Sequence, residues 1–178
     1  AINERVYGRD HANVAITLTY LGDAYGDLGD AAKKRDLLER ALAIDEREYG
    51  PEHRELAPTL TNLGNAYGDL GDAAKMRDTL ERALAINERE YGREHRAVAV
   101  TLTNLGNAYG ALGDTEKQRG NAYGALGDAA KKRDLIERAL VIQEREYGPD
   151  HRALAVTLTN LGNAHGDLGD AAKMRELL

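Results

Sequence analysis

The 178-residue chain contains no cysteine, serine, tryptophan or phenylalanine, and it has only three prolines. Without cysteine the chain can form neither a disulfide nor a thiolate metal site. This absence fits a reducing compartment, so we expect a cytoplasmic protein. Two nucleophiles widely used in covalent catalysis, serine and cysteine, are also missing. The chain is therefore not expected to be an enzyme.

Long apolar runs are absent as well, because none approaches the roughly 20 residues that a membrane-spanning helix needs. The N-terminal residues do not resemble a signal peptide. The net charge is −6 and the sequence pI is about 5.4, which argues against the phosphate backbone of a nucleic acid as a partner. We therefore expect neither a membrane nor a nucleic acid as a partner.

The feature that the chain does have is self-similarity. Tyr7, Tyr49 and Tyr91 open the same phrase at a spacing of 42 residues, and the next copy opens at Tyr147, after 56 residues. The surplus of 14 residues is a tandem echo, since 107–120 reads NAYGALGDTEKQRG and 121–134 reads NAYGALGDAAKKRD. A period of this length is typical of a solenoid, in which each repeat packs on its neighbours.

Each repeat predicts two helices. In the second copy one helical face is formed by Leu56, Leu60, Leu63, Tyr67 and Leu70. The Gly71-Asp72 pair then predicts a break, because glycine can adopt the left-handed conformation and aspartate can cap the next helix. The second helix is expected from about residue 73 to 90. The repeat is thus a pair of antiparallel helices.

This pattern resembles the tetratricopeptide repeat (TPR). The resemblance rests on Leu60-x2-Leu63-Gly64-x2-Tyr67, the Gly71-Asp72 turn and Ala83, and the 42-residue period is similar to that of the repeats in kinesin light chain. It implies an all-α solenoid, a right-handed superhelix of antiparallel helix pairs, and it implies that a glycine such as Gly64 lies where two helices approach closely. One departure is a long residue where the family has a small alanine, at Lys34, Met76, Gln118, Lys132 and Met174.

The expected organisation is a single repeat array that is a piece of a longer one. It comprises the end of a preceding helix (1–6), repeat 1 (7–48), repeat 2 (49–90), repeat 3 with the duplication (91–146) and a truncated repeat 4 (147–178). For the irregular third repeat we favour three helices, at about 96–111, 115–125 and 129–146, which would reverse the direction of later helices. The surplus could instead loop out, or the near-identical copies could exchange between chains.

The resemblance also implies that the first helix of each pair lines an inner groove. Asn side chains both donate and accept, so an Asn ladder there can pair with the backbone of an extended peptide. The same surface carries Asp and no Lys or Arg, which favours a neutral or basic peptide. A second interpretation is that these Asn side chains only join neighbouring helices. The candidate peptide-binding residues are Thr19, Asp23, Asp27, Thr61, Asn62, Asn65, Asp69, Thr103, Asn104, Asn107, Thr159, Asn160, Asn163 and Asp167.

One histidine per repeat recurs in the loop before each first helix, at His11, His53, His95 and His151. No ligand cluster surrounds any of them in the sequence, so we expect each to bond a helix end rather than a metal. Neither a metal nor another cofactor is expected.

The sequence therefore predicts a scaffold that binds a protein or peptide. The alternative is a structural, self-associating module, a homo-oligomer formed through the duplicated segment or the exposed ends of the array. The near identity of the copies fits a recent natural duplication or an engineered repeat protein.

Overall fold

A computed structural model describes residues 2–9, 11–118 and 121–178. In these residues the chain is helical and contains no strand. The helices are α1 (Ile2–Tyr7), α2 (Ala12–Asp27), α3 (Ala31–Tyr49), α4 (Leu56–Asp69), α5 (Ala73–Tyr91), α6 (Arg96–Gln118), α7 (Ala122–Tyr147), α8 (Ala155–Asp167) and α9 (Ala171–Leu177), with a 3₁₀ turn at Arg152–Leu154.

The chain divides into two compact units, residues 1–90 and 91–178, at a predicted repeat boundary. In the first unit α2 packs on α3, α3 packs on α4, and the first helices α2 and α4 also touch. In the second unit α6 packs on α7, α7 on α8 and α8 on α9, and the first helices α6 and α8 touch. The prediction of stacked helix pairs is confirmed, while the finer division into four repeats stays a prediction.

The predicted apolar face of α4 is buried as expected along most of its length. Leu56, Leu60 and Leu63 are each at most 3% exposed. They pack with residues of α3 and α5, so the core runs between helix pairs as well as within them. Leu70 is an exception, because it is 40% exposed as the residue that ends the helix. Leu70 was therefore wrongly assigned to the buried face.

The short turn between paired helices has the predicted chemistry. Gly71 has φ of +77°, in the left-handed region where a side chain would be strained. Asp72 then caps α5, since the Lys75 backbone N–H donates to its Oδ1 at 3.1 Å. Gly64 is also explained, because a Cβ there would lie 2.7 Å from Cγ of the fully buried Leu80. A side chain at residue 64 would push α4 away from α5.

A second glycine in each first helix compensates for the long residues that replace the family's alanine. A Cβ at Gly68 would lie 2.8 Å from Sδ of Met76, and a Cβ at Gly26 would lie 2.8 Å from Cδ of Lys34. A Cβ at Gly166 would likewise lie 2.8 Å from Sδ of Met174. The sequence showed the long residue as a departure from the family pattern, and the structure shows that the glycine opposite makes room for it.

The duplicated segment corrects our prediction for the third repeat. Two long helices, α6 and α7, replace the three predicted helices at 96–111, 115–125 and 129–146, and the described residues do not loop out. Residues 119 and 120 lie outside the described residues. Because the described residues of this repeat form two helices rather than three, the expected reversal of later helices loses its basis.

The 14 additional residues are divided equally between the two helices. With 23 residues α6 is seven longer than α2, and with 26 residues α7 is seven longer than α3 or α5. Seven residues make almost two whole turns, so each helix keeps the same face towards its partner. A separate short helix would have had to find a new partner for its apolar face.

The Leu-Gly-Asp sequence at 112–114 and 126–128 is therefore helical, although the same residues form a turn at 28–30, 70–72 and 168–170. The extended hairpin buries Gly113, Ala125 and Ala129, and a Cβ at Gly113 would lie 3.4 Å from the Ala125 carbonyl oxygen. Asn121 caps α7, because its side chain accepts from the Gly124 N–H at 3.1 Å. Packing and a new cap thus outweigh the local signal for a turn.

Candidate peptide-binding surface

All the predicted site residues lie on the first helices of their pairs. Residues 19, 23 and 27 are on α2, residues 61, 62, 65 and 69 on α4, residues 103, 104 and 107 on α6, and residues 159, 160, 163 and 167 on α8. None of them is fully buried. The side chains classed as exposed are those of Asp27, Asp69, Asn107, Thr159 and Asn163, and the rest are half-buried. The surface that the sequence predicted is thus open, and its role in binding stays a prediction.

The four threonines of this surface hydrogen-bond within their own helices. Each hydroxyl donates to the carbonyl four residues earlier, as Thr61 does to Ala57 at 2.8 Å and Thr103 does to Ala99 at 3.0 Å. Thr19 and Thr159 make the same bond. Since a hydroxyl has one hydrogen, these threonines retain only acceptor capacity towards a ligand.

Three of the candidate residues also join neighbouring helices, and the contact of Asn62 supports our second interpretation at that position. The Asn62 amide on α4 donates to both carboxylate oxygens of Asp23 on α2, at 3.0 and 3.2 Å. In the second unit the Lys132 ammonium donates to Asp167 at 3.0 Å. The ladder is therefore partly structural, and its amides are not equivalent to one another.

Beside the Asn62–Asp23 bond the structure shows a cleft of about 350 Å³. Three helices line it, since α2 and α4 form two walls and the C-terminal part of α3 contributes the third. Its lining combines apolar or aromatic side chains, carboxylates and neutral polar groups, and it contains neither Lys nor Arg. The lining residues are Ile16, Thr19, Tyr20, Asp23, Asp45, Tyr49, Glu55, Pro58, Thr59 and Asn62.

Burial raises the pKa of two carboxyl groups in this cleft. Asp45 is only 8% exposed, and burial raises its pKa to about 6, although the hydrogen bond from the Thr59 hydroxyl at 3.4 Å opposes the rise. Burial also raises the pKa of Asp23, although the nearby Lys34 ammonium opposes that rise. Both shifts mean that ionising these carboxyl groups costs more free energy in the folded protein than in water. A cation bound beside them would reduce that cost.

Most of the lining was missed by sequence reasoning, which named only Thr19, Asp23 and Asn62 among these residues. Periodicity within one repeat cannot find the others, because they come from three helices of two successive repeats. The available signal was a comparison of equivalent positions in different copies, since Tyr20 and Asp45 stand where other copies have amides. The missed residues are Ile16, Tyr20, Asp45, Tyr49, Glu55, Pro58 and Thr59.

The recurring histidines have the structural role that the sequence predicted. His53, His95 and His151 each accept through Nδ1 from the backbone N–H two residues later, at 3.1 to 3.3 Å, and His11 does the same for Asn13. Three of them also stack on the preceding tyrosine, as His95 does on Tyr91 with ring centroids 4.6 Å apart. The stacking was not predicted, and it fixes the ring that caps the helix.

Within residues 2–9, 11–118 and 121–178, no group of three or more His, Asp or Glu side chains is arranged to hold a metal ion. Among the helices that the structure describes, none has the length and apolar character that crossing a bilayer requires.

The fold and this surface define a class, the helical-repeat proteins. Two family models described as tetratricopeptide repeat match the chain, one over residues 14–55 and the other over residues 55–117 and 115–177. The chain therefore belongs to the tetratricopeptide repeat family. No curated protein sequence matches it.

Solved structures agree with this assignment. BtubC (BKLC) from P. vanneervenii superposes with a TM-score of 0.81 at 20% identity, over 99% of this chain and 65% of that one. The chain thus spans about two thirds of the length of BtubC. One structure of a Podosopora anserina putative kinesin light chain, with nearly identical TPR-like repeats, gives 0.78 at 22% identity over 99% and 76%. Another structure with the same description gives 0.55 at 20% identity over 94% and 93%.

At this identity the likenesses show the fold alone. They confirm the predicted all-α TPR solenoid of the kinesin-light-chain-like type. TPR repeats generally mediate protein–protein interaction or scaffolding, which confirms the coarse prediction of function.

Proposed function

We propose that this chain is a non-catalytic binding module that holds an extended peptide of neutral or basic character along the first helices of its repeats. The observation that carries the proposal is the character of the open surface of α2 and α4. It combines half-buried amides, exposed carboxylates and a cleft without Lys or Arg. A cytoplasmic location and the absence of nucleic-acid and membrane partners belong to the same proposal.

Amide side chains suit such a ligand, because each can donate to a backbone carbonyl and accept from a backbone N–H. Asn65 on α4 and Asn104 on α6 are half-buried, and Asn107 on α6 is exposed. A peptide backbone bonded in this way would be recognised with little dependence on its sequence. The acidic residues would then select against acidic peptides.

Capture from a synthetic peptide library tests the proposal. We expect the chain to retain neutral and basic peptides over acidic ones, and retention of basic peptides to weaken as salt is raised. The matched variant replaces Asn65, Asn104 and Asn107 with Ala, and it should lose most of the capture. Asn62 is left in place because it bonds Asp23. Capture that is unchanged in this variant, or that strengthens with salt, would contradict the proposal.

Self-association through the duplicated segment is the second candidate function. It is favoured by the contact between the two near-identical copies, in which Gly113 of α6 faces Ala125 of α7. Identical surfaces can exchange partners between chains, which would give a swapped dimer. Size measured by light scattering over a hundredfold dilution tests it, since a monomer at every concentration would rule this function out. Deletion of 107–120 provides the control, because it removes one of the two copies.

A further inference from the structure

The acidic cleft of the first unit is not a general feature of the repeat. Its three carboxylates occupy positions where every other copy has a neutral residue. Asp23 corresponds to Asn65, Asn107 and Asn163; Asp45 corresponds to Asn3, Asn87 and Gln143; and Glu55 corresponds to Asn13, Ala97 and Ala153. Most charged residues of this chain recur in each repeat, whereas these three do not, and all three line one cleft.

An aromatic residue at the cleft, Tyr20, also departs from the corresponding residues of the other copies. Tyr20 stands where the other copies have Asn62, Asn104 and Asn160, and it is 73% exposed at the cleft. Tyr20 and Tyr49 line the same cleft. Four departures from the repeat thus meet in one place, and they supply negative charge together with an aromatic surface.

The fold does not require the carboxylate at Asp45. At the corresponding position Gln143 accepts a hydrogen bond of 2.7 Å from Thr157, and Asn3 donates to Thr17 at 2.7 Å. Asp45 makes a longer bond of 3.4 Å with the equivalent Thr59. A neutral amide therefore bonds the threonine at shorter range and without the cost of a buried charge. The carboxylate lies nine-tenths buried at the wall of the cleft, whose lining contains no cationic side chain.

We propose that this cleft binds an arginine side chain of the peptide, with the guanidinium group between the carboxylates of Asp23, Asp45 and Glu55 and its plane against the tyrosine rings. A guanidinium presents five donors in a fixed plane, pairs with carboxylates and stacks on aromatic rings. Glu55 also pairs with Arg54 at 3.5 Å, but both side chains are more than half exposed, so this pair opposes the binding only weakly.

The size of the cleft is compatible with this occupant. A volume of about 350 Å³ lies at the lower end of the range of small-ligand pockets, about 300–1,000 Å³. It therefore suits one side chain rather than a whole folded element. This inference rests on the proposed function, and it names one specific side chain of the ligand.

The test uses the whole chain and two synthetic heptapeptides, acetylated and amidated, with the sequence Gly-Ala-Thr-X-Thr-Ala-Gly. X is arginine in one peptide and citrulline, its neutral counterpart of nearly the same shape, in the other. Binding is followed by amide chemical shifts in NMR titrations, which give both the affinity and the location. We expect at least tenfold tighter binding of the arginine peptide, with shifts in α2, α3 and α4 around the cleft.

Two variants and a control make the test specific. Asp45→Asn copies the residue present at position 87, so it is expected to fold, and Asp23→Asn copies the residue at position 65. Each should weaken the arginine peptide about fivefold to tenfold and change the citrulline peptide less than twofold. The control, Asp78→Asn, removes an exposed carboxylate on α5 that pairs with Arg77, and it should change neither.

Equal affinity for the two peptides would overturn the inference, as would an arginine preference that survives both variants or shifts that map away from the cleft. The proposed function is decided separately by library capture. If the library retains neutral peptides through the Asn residues while arginine and citrulline bind alike, the arginine site fails and the proposed function stands.

Discussion

The junction of α2, α3 and α4 and the junction of α6, α7 and α8 are built from the same repeated phrase, yet they differ in charge. In the first unit the residues at the junction include Asp23, Asp45 and Glu55, and in the second the corresponding residues are Asn107, Gln143 and Ala153. Both junctions keep the same threonine contact, through Thr59 and Thr157. The packing therefore tolerates either chemistry, and a repeat array can change the chemistry of one junction without changing its fold.

A second comparison concerns one sequence in two conformations. Leu-Gly-Asp forms the turn between α4 and α5 at 70–72, whereas at 126–128 it is part of α7. Gly71 has φ of +77°, and Gly127 is a helical residue with open space where a Cβ would lie. The glycine and aspartate permit a turn, and the packing of the flanking helices decides whether the turn forms.

The largest expected effect is the loss of the charge difference between the two junctions. The triple variant Asp23→Asn, Asp45→Asn and Glu55→Ala gives the first unit neutral residues that stand at the corresponding positions of other copies, Asn65, Asn87 and Ala97. Because three charge-assisted contacts are lost, we expect the arginine heptapeptide to bind at least thirtyfold more weakly, a change of about 2 kcal/mol. Calorimetric titration measures it, and circular dichroism checks that the helix content is unchanged. An affinity within threefold of the wild type would contradict this expectation.

The next effect separates the two conformations of Leu-Gly-Asp. Gly71→Ala forces a side chain into the left-handed region and should lower the free energy of unfolding by about 1–2 kcal/mol. Gly127→Ala places the same methyl group in a helix with nothing within 4 Å, and it should raise that free energy by about 0.5–1 kcal/mol. Urea unfolding of both variants measures the two changes. If both have the same sign, the two glycines do not differ in backbone conformation as described.

The smallest effect concerns the pH dependence of stability at Asp45. Burial raises its pKa in the folded protein to about 6, above its usual value, so the folded state favours the protonated acid. The stability that the protonated Asp45 carboxyl group contributes is fully present below about pH 4, and it is lost as the pH rises through 6. The carboxylate borders an open cleft, so we expect a loss of about 1 kcal/mol rather than the roughly 3 kcal/mol of a fully shielded group.

Asp45→Asn should remove this pH dependence. The difference in free energy of unfolding between the variant and the wild type should therefore shift by about 1 kcal/mol in favour of the variant as the pH rises from 4 to 8. The other titratable groups that line the cleft are left in place, and they are Tyr20, Asp23, Tyr49 and Glu55. Gln143→Glu is the matched variant in the second unit, because it introduces a carboxyl group at the position that corresponds to Asp45. In this variant the free energy of unfolding should fall by a similar amount as the pH rises from 4 to 8. Urea unfolding at the two pH values measures both variants. Parallel pH profiles for wild type and Asp45→Asn would show that Asp45 does not titrate as described.

Features that depend on one residue and its local backbone could be predicted from the sequence. The turn at Gly71, the cap at Asp72, the close approach at Gly64 and the helix-capping role of His95 are of this kind. The length of α6 and α7 could not be predicted, because it depends on whether two helices pack better when both are extended. A strong local signal at 112–114 therefore predicted a turn that does not form.

The candidate site was predictable in part for a similar reason. The ladder of Asn65, Asn104 and Asn107 was predicted from the resemblance to the TPR family, which implies that first helices line a groove. The cleft was not, because its lining residues come from three helices of two successive repeats. Nor could the sequence show that Asn62 bonds Asp23, since that contact depends on the distance between α2 and α4.

The central claim is that a peptide lies along the first helices. The direct measurement is paramagnetic broadening of the chain's amide signals by a spin-labelled copy of the arginine heptapeptide. The account predicts selective broadening in α2, in α4 and in the C-terminal part of α3 that lines the cleft, with weaker effects on α5. Broadening concentrated on α5, or spread evenly over the chain, would contradict it.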